Sequence, residues 1–467
     1  MRPAPLLTGL VGGVALLLLT QCAVKDPKPI TEELKTVLPP EAIVPSAWKV
    51  TRGTPGAIMT DWVSTFNDPQ LEAIVKEGLE NNLDLKAAAA RVDVAQGLVV
   101  QAKALMYPSL ALVTGVGVVG RDDARDRSGI VAEMSWELDL WGRIRAQTAA
   151  SQAAQAAAEA DLTYARQSLA ATIATLWYHT VATERLRRTA EDASGVYGDL
   201  VKLVNTRYEI GRCGAQDVAM AGADLDRSRQ RERAYATSGQ QFVRGLEVVV
   251  GRYPAAELAL AMDLPPMPGP VPEGLPSELL ERRPDLVAAE RRVASAFHLI
   301  QVAEAARVPR IALTAGGGRT SGELFRLAGI GTSFWTIGVN LLAPLFNAGA
   351  LQAQVRVATA EQQAAVVLYG QTALRAFSEV ETSLVTEQLL LDQEQYLESV
   401  LKQDTEALRL GNIRFKVGAT NLLDVLQLQT RQLNSQFELI GIRGDRLSNR
   451  VALHLALGGG FELPATP

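Results

Sequence analysis

Proline is spread through this chain in a way that leaves few choices of fold. None occurs between Pro108 and Pro254, a run of 145 residues, and none between Pro344 and Pro464, a run of 119. Proline removes a backbone donor and clashes with the preceding turn, so runs this long without it permit very long helices. Their composition agrees, because 146–190 and 350–410 are dense in Ala, Gln, Leu and Glu and poor in Gly. Seven prolines crowd 265–284 and mark a central connector. The chain reads as two halves joined there.

The halves match each other. Tyr107-Pro108-Ser109-Leu110-Ala111-Leu112 recurs as Val308-Pro309-Arg310-Ile311-Ala312-Leu313 at an offset of 201 residues. Gly142, Ala146 and Gln147 recur as Gly349, Ala353 and Gln354 at an offset of 207. At that same offset, Arg207-Tyr208-Glu209-Ile210-Gly211 with Asp217-Val218 matches Arg414-Phe415-Lys416-Val417-Gly418 with Asp424-Val425. Gly142 to Gly211 and Gly349 to Gly418 are both 69 residues, so the intervening helix has one length in both halves, as in a duplicated unit. A helix filling that interval is ~100 Å long, roughly three bilayer thicknesses, and must project into water.

Period-2 segments precede both long intervals. In 130–141, Ile130, Ala132, Met134, Trp136, Leu138 and Leu140 are apolar, while Glu133, Ser135, Glu137 and Asp139 take the alternate places. This predicts a strand with one face in lipid or core and the other wet. Its partner is 108–119, and the charged run Arg121 to Arg127 reads as an exposed hairpin loop. A second hairpin fits 309–319 and 333–343, with Trp335, Ile337, Val339 and Leu341 alternating with Phe334, Thr336, Gly338 and Asn340. Tyr107, Trp136, Trp141, Phe334, Trp335 and Phe346 supply aromatics as an interface girdle does. The stretch 327–355 has no charged residue, but its Gly, Asn and Pro content and its period argue for strand over membrane helix. A β-sandwich core in a soluble protein is the plain alternative. If the strands enter a membrane, four per chain cannot close a barrel, since open edges are not tolerated there and the smallest barrels have about eight strands. At least two chains then share one barrel, and their long helices line a common tube.

Composition narrows the chemistry. Only 5% of residues are aromatic and the 48% hydrophobic content is inflated by Ala, a poor recipe for several compact cores. A formal net charge of -5 leaves no basic excess for a phosphate backbone, so no nucleic acid partner is expected. Two cysteines, Cys22 and Cys213, make no disulfide framework, and His179, His298 and His454 have no metal-ligand spacing. Gly115 to Gly120 spells G-x-G-x-x-G, but Arg121-Asp122-Asp123 follows where a nucleotide site needs a helix N-terminus. Glu133 and Glu137 lie on the presumed lumen face without a partner to shift their pKa values. No enzyme activity and no cofactor is expected.

Residues 1–22 begin with Arg2, continue through an apolar stretch from Leu6 to Leu19 and end Thr20-Gln21-Cys22, the layout of a secretory signal. The Leu19 to Cys22 end resembles a bacterial lipobox, in which the Cys is acylated and becomes the mature N-terminus. Gln21 stands where a small residue normally precedes that Cys. The alternative is that Cys22 is merely an apolar residue closing the signal. Five prolines from Pro27 to Pro45 then suit an extended tether.

Further residues carry a family resemblance. Asp61-Trp62, Phe66-Asn67-Asp68-Pro69-Gln70-Leu71, Asn81-Asn82-Leu83-Asp84-Leu85 and Ala88-Ala89-Ala90-Arg91-Val92 resemble the opening of the outer-membrane efflux factors of the TolC/OprM type, in particular the NodT-like lipoproteins. The stretch from Leu275 through Glu281-Arg282-Arg283-Pro284-Asp285-Leu286 is similar to their most specific central motif. Pro344-Leu345-Phe346-Asn347-Ala348-Gly349 and Leu422-Leu423-Asp424-Val425-Leu426 also belong. The resemblance spans nearly the whole mature chain. It implies a mainly α fold with membrane β: a homotrimer sharing a 12-stranded β-barrel in the outer membrane of a Gram-negative bacterium, lipid-anchored, with a helical tunnel across the periplasm. It also implies a periplasmic adaptor and an inner-membrane RND-type transporter that hand over small molecules, the duct itself being passive. A type I protein-secretion duct and a pore-less periplasmic coiled-coil scaffold are the rival readings.

On this pattern the chain divides into a signal peptide (1–21), a lipid anchor and tether (22–68), a helix (69–106), a first membrane hairpin (107–141) and the first long helices with their tip (142–264). The connector (265–283), a helix (284–307), a second hairpin (308–344), the second long helices and tip (345–458) and a tail (459–467) follow. The resemblance places the periplasmic tip, which narrows to a gate, at Arg207, Gly211, Arg212 and Asp217 and at Arg414, Gly418 and Asp424. Gly211 and Gly418 serve turns of unusual backbone angle. Asp217 and Asp424 either form charged rings, or pair with Arg207, Arg212 or Arg414, or are helix N-terminal acids favoured by the dipole. Several relatives of that family carry an acid near Thr420 that this chain lacks, and Cys213 is a bystander. Glu133, Ser135, Glu137 and Asp139 face the barrel lumen.

Overall fold

The computed structural model describes residues 24–30, 32, 48–49, 61–119, 125–272, 276–321 and 332–459. The signal segment, Cys22 and the turns of both expected hairpins lie outside them. A single 3-10 turn, Val63–Phe66, leads into α1 (Pro69–Asn81). Asn67 takes a left-handed φ of 50°, Asp68 accepts the Gln70 and Leu71 N–H groups on Oδ1 at 3.1 Å each, and Pro69 opens the helix. The other oxygen of Asp68 accepts Trp177 Nε1–H at 2.8 Å inside the core. α2 (Leu83–Ala104) starts one residue after α1. Asn82 makes the break: its Oδ1 accepts Leu85 N–H and its Nδ2 donates to the Val249 carbonyl, both at 2.8 Å. The single helix expected over 69–106 is therefore two, divided by a side-chain cap.

β1 (Ser109–Val119), β2 (Arg125–Leu138), β3 (Arg310–Ser321) and β4 (Thr332–Leu342) form one antiparallel sheet in the order β1-β2-β3-β4. The two expected hairpins thus join through β2 and β3. Arg125 to Arg127, expected in the loop, belong to β2, because Val119 pairs with Arg125 and the ladder runs unbroken from there. At its other end β2 stops at Leu138 rather than 141.

α3 (Arg143–Glu209) and, in the second repeat, a helix over Ala350–Lys416 have 67 residues each. α4 (Ala215–Val250) returns from the end of α3. It closes at Gly251, φ 91°, so irregular chain begins well before the expected 265. The buried Glu247 carboxylate accepts the N–H groups of Ala256, Glu257 and Leu258 at 2.7, 2.8 and 3.2 Å, which folds the connector back onto α4. α5 (Pro276–Arg282) and α6 (Pro284–Ala305) precede β3, and α7 (Ala350–Lys416) and α8 (Leu422–Ala456) end the fold. Among the described residues no helix is long and apolar enough to cross a membrane.

The chain separates into two units, one built on 89–161 and 285–372, which holds the sheet, and one built on 44–88, 162–284 and 373–467. Trp62, Phe66, Trp177, Tyr178, Leu246 and Leu447 form the core of the second. Arg283 of the central motif is 1% exposed there, donating to Glu379 at 2.6 Å and to the Ala456 carbonyl at 3.2 Å. α8 presents Arg443, Arg446 and Arg450 to Glu394, Glu398 and Glu387 of α7, with Arg450 to Glu387 at 2.6 Å. Removing one partner of such a buried pair typically costs ~3–5 kcal/mol.

His454 lies in the same core, its ring stacked on Trp62 at 5.7 Å and edge-on to Phe66 at 6.3 Å. Burial, and then the Arg450 charge, push its pKa from 6.5 down to about 4. The unfolded chain takes up this proton as pH falls through 6.5 and the folded chain only near 4, so stability is lost across that window, by ~3 kcal/mol in all. Urea melts across the window should show this loss, and His454→Leu should flatten it. An unchanged acid limb in that variant would assign the loss to other groups.

Candidate functional site

The ends of α3 and α7 have the same structure. Gly211 N–H bonds to Tyr208 O at 2.9 Å and Arg212 N–H to Arg207 O at 2.8 Å, while Gly418 N–H bonds to Phe415 O at 3.1 Å and Ala419 N–H to Arg414 O at 2.8 Å. This nested pair of bonds is the Schellman closure, and it holds Gly211 at φ 70° and Gly418 at φ 79°, where an L side chain is strained. The following helices each carry an Asp at their third position. Asp217, third in α4, accepts Gly214 N–H on Oδ2 at 2.9 Å. Asp424, third in α8, accepts the Thr420 hydroxyl, while its own N–H goes to Asn421 Oδ1 at 2.8 Å. Both acids therefore sit at the positive end of a helix dipole and serve its first turn. Thr420 is a donor here.

Between the two tips Tyr197, Val204, Leu422, Leu426 and Leu433 form a small apolar cluster, with Phe415 and Cys213 partly buried against it. Arg207 lies over the Phe415 ring, its guanidinium carbon 4.1 Å from the centroid, a cation–π contact between the end of α3 and the end of α7. Among the described residues neither Asp217 nor Asp424 forms an ion pair within the protomer with Arg207, Arg212 or Arg414. Arg212 and Arg414 are exposed. Phe415 escapes a sequence reading because its partner is 208 positions away on another helix.

In the sheet, register sorts the side chains. Glu133 lies opposite Ala111 and Gly316, Ser135 opposite Ser109 and Thr314, and Glu137 opposite Ala312, so all three share the face of small and polar residues. Leu110, Met134, Trp136, Leu313, Trp335 and Ile337 share the other. Trp335 and Ile337 on that face are each 79% exposed, so the described residues leave this part of the apolar sheet face uncovered. Glu137, expected without a partner, has one: Arg143 grips it with Nε at 3.0 Å and Nη2 at 2.9 Å. Asp139 falls just past β2 and caps α3, accepting Ile144 N–H and Arg145 N–H at 2.9 Å each and pairing with the Arg145 side chain at 3.1 Å. Arg143 and Arg145 were not legible as partners, because the strand-to-helix turn between them and the acids breaks any periodicity.

An antiparallel sheet with an exposed apolar face and two repeats of a long helix pair are the features to be matched, and the class they belong to is that of the outer-membrane efflux proteins. A family model described as Outer membrane efflux protein matches residues 74–252 and 275–459, and the chain belongs to that family. It is 30% identical over 412 residues to the toluene efflux pump outer membrane protein TtgC of Pseudomonas putida, covering 86% of this chain and 85% of that one. It is 30% identical over 440 residues to the pyoverdine export outer membrane protein OpmQ of Pseudomonas aeruginosa, covering 90% and 91%. Among solved structures it is similar to the open state of the MtrE outer membrane channel of Neisseria gonorrhoeae, with TM-score 0.83, 25% identity, and coverage of 94% and 99%. Its place is the outer membrane and its role that of an efflux exit duct.

The tip geometry makes a local prediction. Gly211→Val or Gly418→Val forces a branched side chain into the left-handed region, at ~1–2 kcal/mol. Amide exchange in the last turn of α3 or α7 should accelerate while the global melt stays in place. Unchanged exchange would show that the closure does not hold that turn.

Proposed function

We propose that three copies of this chain share a barrel of four strands each and form the exit duct of a tripartite pump. A periplasmic adaptor and an inner-membrane RND-type transporter supply the cargo and the energy. The observation that carries this reading is the sheet: among the described residues it has four strands, open β1 and β4 edges and an uncovered apolar face. Such a sheet is viable in hydrocarbon only if copies close it, and about eight strands is the minimum. The polar face carrying Glu133, Ser135 and Glu137, with Asp139 at its end, lines the lumen on this reading, and Trp335 and Ile337 meet outer-membrane lipid. An acyl chain on Cys22 adds a tether to the same membrane.

The cargo is small. The names of two relatives specify toluene efflux and pyoverdine export, both low-molecular-weight compounds. This favours drugs and toxic compounds over the polypeptides of a type I secretion duct. The duct is passive, since the sequence has neither a nucleotide-binding nor a proton-relay motif.

Electron-microscope class averages of the detergent-extracted protein should show a threefold particle with a tube of ~100 Å, the length of the long helices. A monomeric rod would return the chain to a pore-less scaffold. The tips form the gate on this reading, with Arg207, Gly211, Arg212 and Asp217 facing Arg414, Gly418 and Asp424 around the ring. Asp217→Ala combined with Asp424→Ala should raise the current through single channels in planar bilayers. An unchanged current would leave both acids as helix caps alone.

A further inference from the structure

The duplication has been satisfied on one side only. Arg207 and Tyr208 end α3, and Arg414 and Phe415 occupy the equivalent places, 207 residues on, at the end of α7. Within the protomer Arg207 of the first repeat rests on Phe415 of the second, at 4.1 Å, and both side chains are half-buried. The complementary halves of the motif are unused: Tyr208 is 49% exposed and Arg414 is exposed. Among the described residues neither side chain has a hydrogen-bond, ion-pair or ring partner. An arginine without a ring is thus presented by the second repeat, and a ring without an arginine by the first.

Two repeats cannot satisfy each other's motif twice within one chain. Side by side, the arginine of one reaches the ring of the next, and the direction of that contact leaves a free ring at the first tip and a free arginine at the last. This is a heterologous contact, the kind that either continues or closes into a ring of copies. From this we infer that Arg414 of one protomer stacks on Tyr208 of a second copy of this chain. The contact inside the protomer then recurs between protomers, and Arg–aromatic stacks alternate, within and between chains, around the whole tip. The occupant of the exposed Tyr208 face is another copy, because the chemistry it lacks is that which Arg414 carries. Tyr208 has a wider role than Phe415: its ring accepts a cation in the same way, and its hydroxyl adds a polar edge suited to a wet, exposed position. The inference rests on the trimeric reading above, with the pairing going beyond it.

Crosslinking with a bis-maleimide, whose spacer replaces the reach of the two lost side chains, tests the pairing. In a Cys213→Ser background, Tyr208→Cys with Arg414→Cys should give dimer and trimer bands on denaturing gels. Arg207→Cys with Phe415→Cys should give only an internally bridged monomer. Class averages of the same samples separate the two ideas. Absence of a threefold particle overturns the trimeric reading and this inference with it. A threefold particle in which the Tyr208/Arg414 pair gives no chain-to-chain bridge, while the Arg207/Phe415 pair closes normally, overturns the stack alone. A double-mutant cycle on Tyr208→Leu and Arg414→Gln is read as single-channel current. Each single change should raise the current several-fold, and the double change should raise it no further. Multiplying effects would mean the two residues act apart, and would likewise overturn the stack.

Discussion

A helix of 67 residues satisfies its own backbone hydrogen bonds but cannot bury its own apolar stripe, and this chain contains two of them. Water tolerates such an element only if companions cover it along most of its ~100 Å. α4 and α8, 36 and 35 residues long, return from the two tips and supply part of that cover. Alanines such as Ala170, Ala171 and Ala174, all 5% exposed or less, let backbones approach closely. The arginine row of α8 against the glutamates of α7 fixes the register of the second pair, because a buried charge that loses its partner is strongly penalised.

Duplication explains where the two halves agree and where they part. Helix ends are governed by backbone geometry, and Gly211 with Gly418 keep both residue and hydrogen-bond role, while Asp217 and Asp424 keep residue and helix position but accept from different donors, Gly214 N–H and the Thr420 hydroxyl. The sheet is less demanding, since the alternation of its polar face accepts any small or polar residue. At the offset of 201 residues Glu133, Ser135, Glu137 and Asp139 are answered by Phe334, Thr336, Gly338 and Asn340, so the acids belong to one repeat only. Two of those acids, Glu137 and Asp139, are committed to Arg143 and Arg145 at the strand-to-helix junction. They brace the entry to α3, and Glu133 is left as the acid on the polar face without such a task.

Much of the fold was legible because its signals are periodic and long. The two helices, the paired strands and the repeat all follow from proline-free runs, alternation and self-similarity, which depend on near neighbours along the chain. Two of the failures share a cause. The break at Asn82 and the extension of β2 to Arg125 are each decided by a contact from another element, the Val249 carbonyl and the β1 ladder, whereas α4 ends early in the left-handed turn at Gly251. Of the site residues, Gly211, Gly418, Asp217 and Asp424 were visible by repetition. Phe415, Arg143 and Arg145 were not, since nothing local marks their partners.

The amino-acid sequence by itself determined the element types, the common length of the long helices, the duplicated turns at their ends and the family. These depend on backbone propensity and spacing, which operate within a few residues or repeat identically. Only the tertiary structure decided that Arg207 meets a ring rather than an acid, that Asp217 and Asp424 serve their own helix starts, and that Glu137 is paired. Those outcomes turn on which side chains lie within about 3–4 Å of one another, a distance set by packing between helices remote in the chain.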